Sequence, residues 1–128
     1  MGQRILLSCT KCTFKKEMSV GMGLMSNNPD VIASCLNAYE AEEWKQLYNS
    51  QKISFFQAEQ KVFYCDHCND LFCQLSVDAA LTDGREIIFG DKCQKCHSKL
   101  QEIDTQAKPM CPICHSGVLN RKQIGLWD

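Results

Sequence analysis

Long hydrophobic runs are missing from this 128-residue chain. Nothing approaches the roughly 18 consecutive apolar residues that a membrane span needs, so no membrane partner is expected. The apolar run near the start is Ile5, Leu6 and Leu7 alone, too short for the core of a secretion signal. Leu6 stands where N-myristoylation requires Ser or Thr. A charge surplus is missing too: 14 basic residues face 15 acidic ones, which removes the global positive field that a polyelectrolyte binder uses. Aromatic residues are only 9 % of the chain, and ten of its apolar residues are cysteines. A small unit so composed needs metal or disulfides to supplement its core. The expected compartment is the cytosol, where thiols stay reduced and paired cysteines hold metal rather than form disulfides.

What the chain does have is cysteine in pairs. Eight of the ten fall into four Cys-x-x-Cys units: Cys9/Cys12, Cys65/Cys68, Cys93/Cys96 and Cys111/Cys114. A tight turn puts both sulfurs of such a pair on one side, and two turns together give the closed Cys₄ coordination of structural zinc. The spacing predicts two zinc ions per chain, with those eight cysteines as ligands and no catalytic residue. The turn calls for a residue tolerant of left-handed backbone after the second cysteine. Asn69, His97 and His115 stand there in three units, Thr13 in the first, and glycine in none.

The segments between the pairs read as mostly β with one helix. Residues 4–8 form a strand running into the first pair. Phe14, Lys16, Met18, Val20, Met22 and Leu24 alternate as a second strand, with a bend at Gly21 and Gly23. Asn28-Pro29-Asp30 is a helix start, and the spacing of Ile32, Cys35, Leu36, Tyr39 and Leu47 predicts one amphipathic helix over about 30–49. Residues 52–64 read as two short strands. Leu71, Cys73, Leu75 and Val77 alternate as one face of another strand, returned by a turn at Thr82-Asp83-Gly84 into a strand over 85–89.

Four pairs combine into two sites in three ways. Joining neighbours closes loops of 52 and 14 residues; the nested arrangement closes 24 and 98, and the crossed one 80 and 42. Loop-closure entropy favours neighbours by only about 1 kcal/mol. On that basis Cys9, Cys12, Cys65 and Cys68 are expected around one ion and Cys93, Cys96, Cys111 and Cys114 around the other. The chain then divides into unit 1–90, with the helix inserted, and unit 91–128. Against this stands the hairpin inside 65–96, which can make a self-contained ribbon.

Cys-x-x-Cys turns joined by strands resemble the zinc-ribbon, or rubredoxin-like, group. The chain is also similar to bacterial multi-CxxC zinc-ribbon proteins. In those a first knuckle is followed by a segment like Gly21-Met22-Gly23, a helix, three further knuckles and a tail ending near Trp127-Asp128. The resemblance implies a fold class of two zinc-ribbon-type units and a metal, and no reaction.

Competing chemistries fit less of the chain. CQKCH over 93–97 and CPICH over 111–115 match covalent c-type haem sites, but haem leaves the first two pairs unexplained. CPIC resembles a thioredoxin-like redox turn but is not followed by a helical pattern. No His-x-Glu of a zinc deaminase occurs. His67 is expected to face solvent, and His97 and His115 to serve the turns, each with the option of replacing a cysteine ligand. Cys35 and Cys73 read as core thiols, and Met18, Met22 and Met25 as packing. The expected function is a non-enzymatic zinc-binding module mediating macromolecular interaction, with another protein as partner. The alternative is nucleic-acid binding through the first knuckle, where Arg4, Lys11, Lys15 and Lys16 face only Glu17 within residues 1–29. Thiol redox or metal handling ranks third.

Overall fold

The computed structural model describes residues 2–23 and 27–127. Leu24 and Met25, from the alternating series and the methionine stripe, and Asp128 of the tail lie outside the described residues. Among the described residues, seven strands form two antiparallel sheets. The first has the order β2-β1-β7, built from β1 (Gly2–Cys9), β2 (Lys15–Val20) and β7 (Leu119–Trp127). The second has the order β5-β4-β3-β6, built from β3 (Ile53–Cys65), β4 (Asp70–Leu81), β5 (Glu86–Phe89) and β6 (Gln101–Glu102).

Strand alternation sets the packing. Ile5 and Leu7 of β1, Met18 of β2 and Leu119 of β7 point inward and are buried. They meet Val62, Tyr64 and Leu71, which share one face of the β3–β4 hairpin at its knuckle end. Farther along that face Ala58, Leu75, Val77 and Ala79 lie under the helices, against Ile32, Leu36 and Trp44. The opposite face packs Phe63 and its cross-strand partner Phe72 on Leu100 and the third knuckle.

The single helix expected over 30–49 is two: α1 (Pro29–Cys35) and α2 (Ala38–Asn49). Leu36 turns extended to fill the core, and the Asn37 side chain accepts from the Glu40 N–H to start a new helix. Trp44 fastens the pair, donating through Nε1 to the Pro29 carbonyl at 3.1 Å. Residues 52–64, expected as two short strands, form the one long strand β3. β7 was hidden in sequence because most of its side chains are exposed and Gly125 interrupts its pattern. Its backbone pairs with β1 along Gly2–Cys9, with a bulge opposite Arg4/Ile5. The Trp127 indole closes that end, donating to the carbonyls of Gln3 and Val20.

Candidate metal centres

Each Cys-x-x-Cys unit is the turn of an antiparallel pair: Ser8 faces Lys15, Cys65 faces Asp70, Lys92 faces Lys99, and Met110 faces Val118. The turns close on themselves. Cys93 N–H donates to the Ser98 carbonyl at 2.9 Å, and His97 N–H to the Cys93 carbonyl at 2.8 Å. The fourth turn repeats this through Cys111 to Gly117 and His115 to Cys111. Asn69, His97 and His115 have φ of 50°, 63° and 59°, the left-handed backbone expected after the second cysteine. Thr13 does not, and the first turn is closed by Cys9 N–H donating to the Phe14 carbonyl at 3.0 Å.

The four turns meet in two sets. Cys9, Cys12, Cys111 and Cys114 form one cluster and Cys65, Cys68, Cys93 and Cys96 the other, with the sulfurs of each within 4.8 Å of one another. This corrects the neighbour grouping of Cys9/Cys12 with Cys65/Cys68 and of Cys93/Cys96 with Cys111/Cys114. Loop entropy decided by about 1 kcal/mol, whereas each cross-strand pair contributes about 0.2–1 kcal/mol. The β1–β7 ladder brings the last knuckle to the first, and β6 pairing on β3 at Phe63 and Tyr64 brings the third to the second. Strands assigned to separate units 1–90 and 91–128 are therefore hydrogen-bonded neighbours.

The sulfur spacing is that of a single tetrahedral ion. Arms of 2.3 Å to four thiolates place sulfurs about 3.8 Å apart. In the first cluster Cys9 to Cys114 is 3.6 Å and Cys12 to Cys111 is 3.9 Å; in the second Cys65 to Cys96 is 3.5 Å and Cys68 to Cys93 is 3.9 Å. A disulfide requires about 2.05 Å, and all ten cysteines are free thiols. Backbone N–H groups aim at the sulfurs: Lys11 and Cys12 donate to Cys9 Sγ at 3.3 Å, and Cys68 to Cys65 Sγ at 3.4 Å.

These donors and the crowding of thiols divide the protons unevenly. The backbone N–H groups of Cys12 and Lys11 pull Cys9 down to about 6. The Ser98 side chain and backbone do the same for Cys96, also to about 6. Cys114 is lowered by the N–H groups of Ser116 and Gly117. Cys12 is pushed up to about 12: the Phe14 backbone opposes this, but burial and the neighbouring thiols prevail. Cys68 also rises to about 12, chiefly through the Cys96 thiol and then burial. Each cluster thus holds thiolate character together with thiols that ionise only when a cation compensates the charge.

Several supporting residues were not legible in sequence. Gly117 is one: a Cβ there would lie 2.5 Å from Cys9 Sγ and 2.9 Å from the Lys11 nitrogen. Thr10 is another, its hydroxyl accepting from the Val118 N–H at 3.0 Å and joining the first and fourth turns. His67, His97 and His115 are exposed, and among the described residues no histidine joins either cluster. Cys35 is exposed at the end of α1, correcting its reading as a core thiol; the break at Leu36 turns it outward. Cys73 is half-buried against the core under β1. Met18 is buried, while Met22 is exposed. No protein-family model, curated protein or solved structure matches this chain.

Proposed function

We propose that this chain is a non-enzymatic, zinc-stabilised module of the cytosol that docks another protein, with one zinc ion in each Cys₄ cluster and each cluster with its strands serving as a zinc-ribbon-type unit. The observation that carries the metal reading is the sulfur spacing: all four sulfurs of each cluster lie within 4.8 Å of one another and two pairs in each are 3.5–3.9 Å apart, which suits one closed tetrahedral ion apiece. Zinc would supply a redox-inert crosslink with no open position. The first ion would tie the β1–β2 turn to the knuckle that leads into β7, at one end of the β2-β1-β7 sheet, and the second would tie the β3–β4 hairpin to the third knuckle. A protein partner is favoured by large apolar side chains left on the surface, among them Phe55 at 65 % and Ile88 at 52 % exposure.

The nucleic-acid reading keeps one specific observation. With Ile5 and Leu7 inward, β1 presents Arg4, Leu6 and Ser8 outward, and the register sets Lys15 of β2 and Lys122 of β7 beside them. Arg4 is partly neutralised by Glu17 at 3.3 Å, and Trp127, at the Gly2 end of that face, has its indole N–H held by the carbonyls of Gln3 and Val20, so it is not a free platform for base stacking. It ranks second. Metal analysis of protein purified without added metal tests the first reading: two zinc per chain is expected, and iron, or fewer than two ions, overturns it. Retention on DNA that persists at physiological salt would reverse the order of partners.

A further inference from the structure

A sheet edge is a row of unpaired backbone donors and acceptors, and proteins ordinarily protect it. Three of the four edge strands here are protected; beyond the two-residue β6, β3 is also an edge, bridged at Gln60. β2 is bridged to the other sheet by paired Gly21–Gln60 hydrogen bonds of 2.8 and 2.9 Å. β7 carries Lys122 and the bulge, and β6 is two residues long. Among the described residues, β5 (Glu86–Phe89) has no bulge, no lysine and no covering segment.

The register shows what β5 offers. The Leu81 N–H donates to the Arg85 carbonyl at 2.8 Å, which makes the mouth of the turn a hydrogen-bonded pair. By alternation Ala79–Ile87 and Val77–Phe89 are also hydrogen-bonded, and the N–H and C=O groups of Glu86 and Ile88 point away from β4. Among the described residues nothing pairs with them. The side chains of the same two residues stand on the face of the sheet opposite the helices, beyond the part that Leu100 and the third knuckle cover. There Phe55, Gln57, Asp78, Ala80, Glu86 and Ile88 line a hollow of about 300 Å³. Asp78 and Glu86 are exposed and, among the described residues, have no cationic partner within ion-pair distance; the neighbouring Arg85 is held by Asp83 at 2.7 Å. Across the edge a second hollow begins at Ile87 and Ile88 and continues to Tyr39 and Glu43.

We propose that the free side of β5 takes up an extended basic segment of a partner protein as an added strand. Main-chain hydrogen bonds to Glu86 and Ile88 supply the pairing; an aliphatic residue of the segment lies on Phe55 and Ile88, and its lysines or arginines meet Asp78 and Glu86. This rests on the protein-docking reading and gives it a place and a partner chemistry. A second copy of this chain is the poorer occupant. Antiparallel pairing of two β5 strands brings Asp78 and Glu86 of both copies to the same face, acid against acid.

The test is an amide NMR titration of the full zinc-loaded chain with the peptide Lys-Thr-Val-Thr-Lys-Thr-Val. Shifts and slowed hydrogen exchange are expected at Glu86 and Ile88, and a control with Glu in place of Lys should produce none. Ile88→Pro removes an outward donor at a position where edge strands accept proline, and Asp78→Lys reverses one charge on an exposed residue. Each should weaken binding about tenfold or more. Absence of change at β5 with millimolar peptide overturns the proposal, as does protection of β5 that depends on protein concentration without peptide. Shifts from the same peptide on another face overturn the β5 site while leaving protein docking in place. Shifts on the Lys15–Lys122 face with an oligonucleotide, and none anywhere with peptide, overturn both.

Discussion

Cys9, at the end of the first strand, and Cys114, in the last knuckle, hold their sulfurs 3.6 Å apart across 105 positions of sequence. The contact is made by strand pairing, β1 against β7, before any metal is considered. An ion placed there locks a closure that the backbone has already arranged.

Gly117 approaches this cluster so closely that Gly117→Ala must displace Cys9 Sγ or the Lys11 backbone. Zinc affinity at the Cys9 cluster should fall about tenfold or more, as for other disturbances just outside a metal's ligands. The Cys65 cluster should be unaffected. Cadmium-113 NMR of the substituted protein resolves the two sites, and equal loss at both would contradict the assignment.

The two cysteines outside the clusters should behave differently. Cys35→Ala removes an exposed thiol and should change stability by less than about 0.5 kcal/mol. Cys73→Ala opens space against the core under β1 and should cost about 1 kcal/mol. Denaturant unfolding checks both, and neither variant should lose an ion.

Much of this was readable from residues, and the failures have physical causes. Pair spacing picked out the eight clustered cysteines, because a turn that presents two sulfurs needs a fixed local spacing. The left-handed residues Asn69, His97 and His115 were legible for the same reason, and so was the turn at Thr82-Asp83-Gly84, since these are local backbone demands. The grouping of the pairs was not legible. It depends on β7, a strand whose exposed side chains carry no alternating signal, and on the two-residue β6. The helix break was missed because Leu36 keeps a helical spacing while leaving the helix, and only the Asn37 cap marks the restart.

Zinc binding should weaken steeply as pH falls. Cys9 and Cys96, pulled down to about 6, are already largely thiolate at neutral pH, whereas Cys12 and Cys68, pushed up to about 12, must release protons to the solvent when an ion binds. Bound metal holds every ligand thiol ionised, so its folded pKa lies below the unfolded one. The stabilisation is therefore present at high pH and lost as pH falls. Each ion should displace at least two protons near pH 7, from Cys12 and Cys111 in one cluster and from Cys65 and Cys68 in the other, all held above the ordinary thiol range, giving a slope of about two or more in log affinity per pH unit. Competition with a chromophoric chelator between neutral and mildly acidic pH measures it. A slope near one would contradict four-thiolate ligation.

The grouping of knuckles is tested most directly by counting zinc, with native mass spectrometry, in two four-fold Cys→Ser variants. One replaces Cys9, Cys12, Cys111 and Cys114; the other replaces Cys9, Cys12, Cys65 and Cys68. The first leaves Cys65, Cys68, Cys93 and Cys96 as one intact set and should retain one zinc ion held against a chelator. The second leaves half of each cluster and should retain none. The reverse result, one tightly held ion in the second variant and none in the first, would contradict the account.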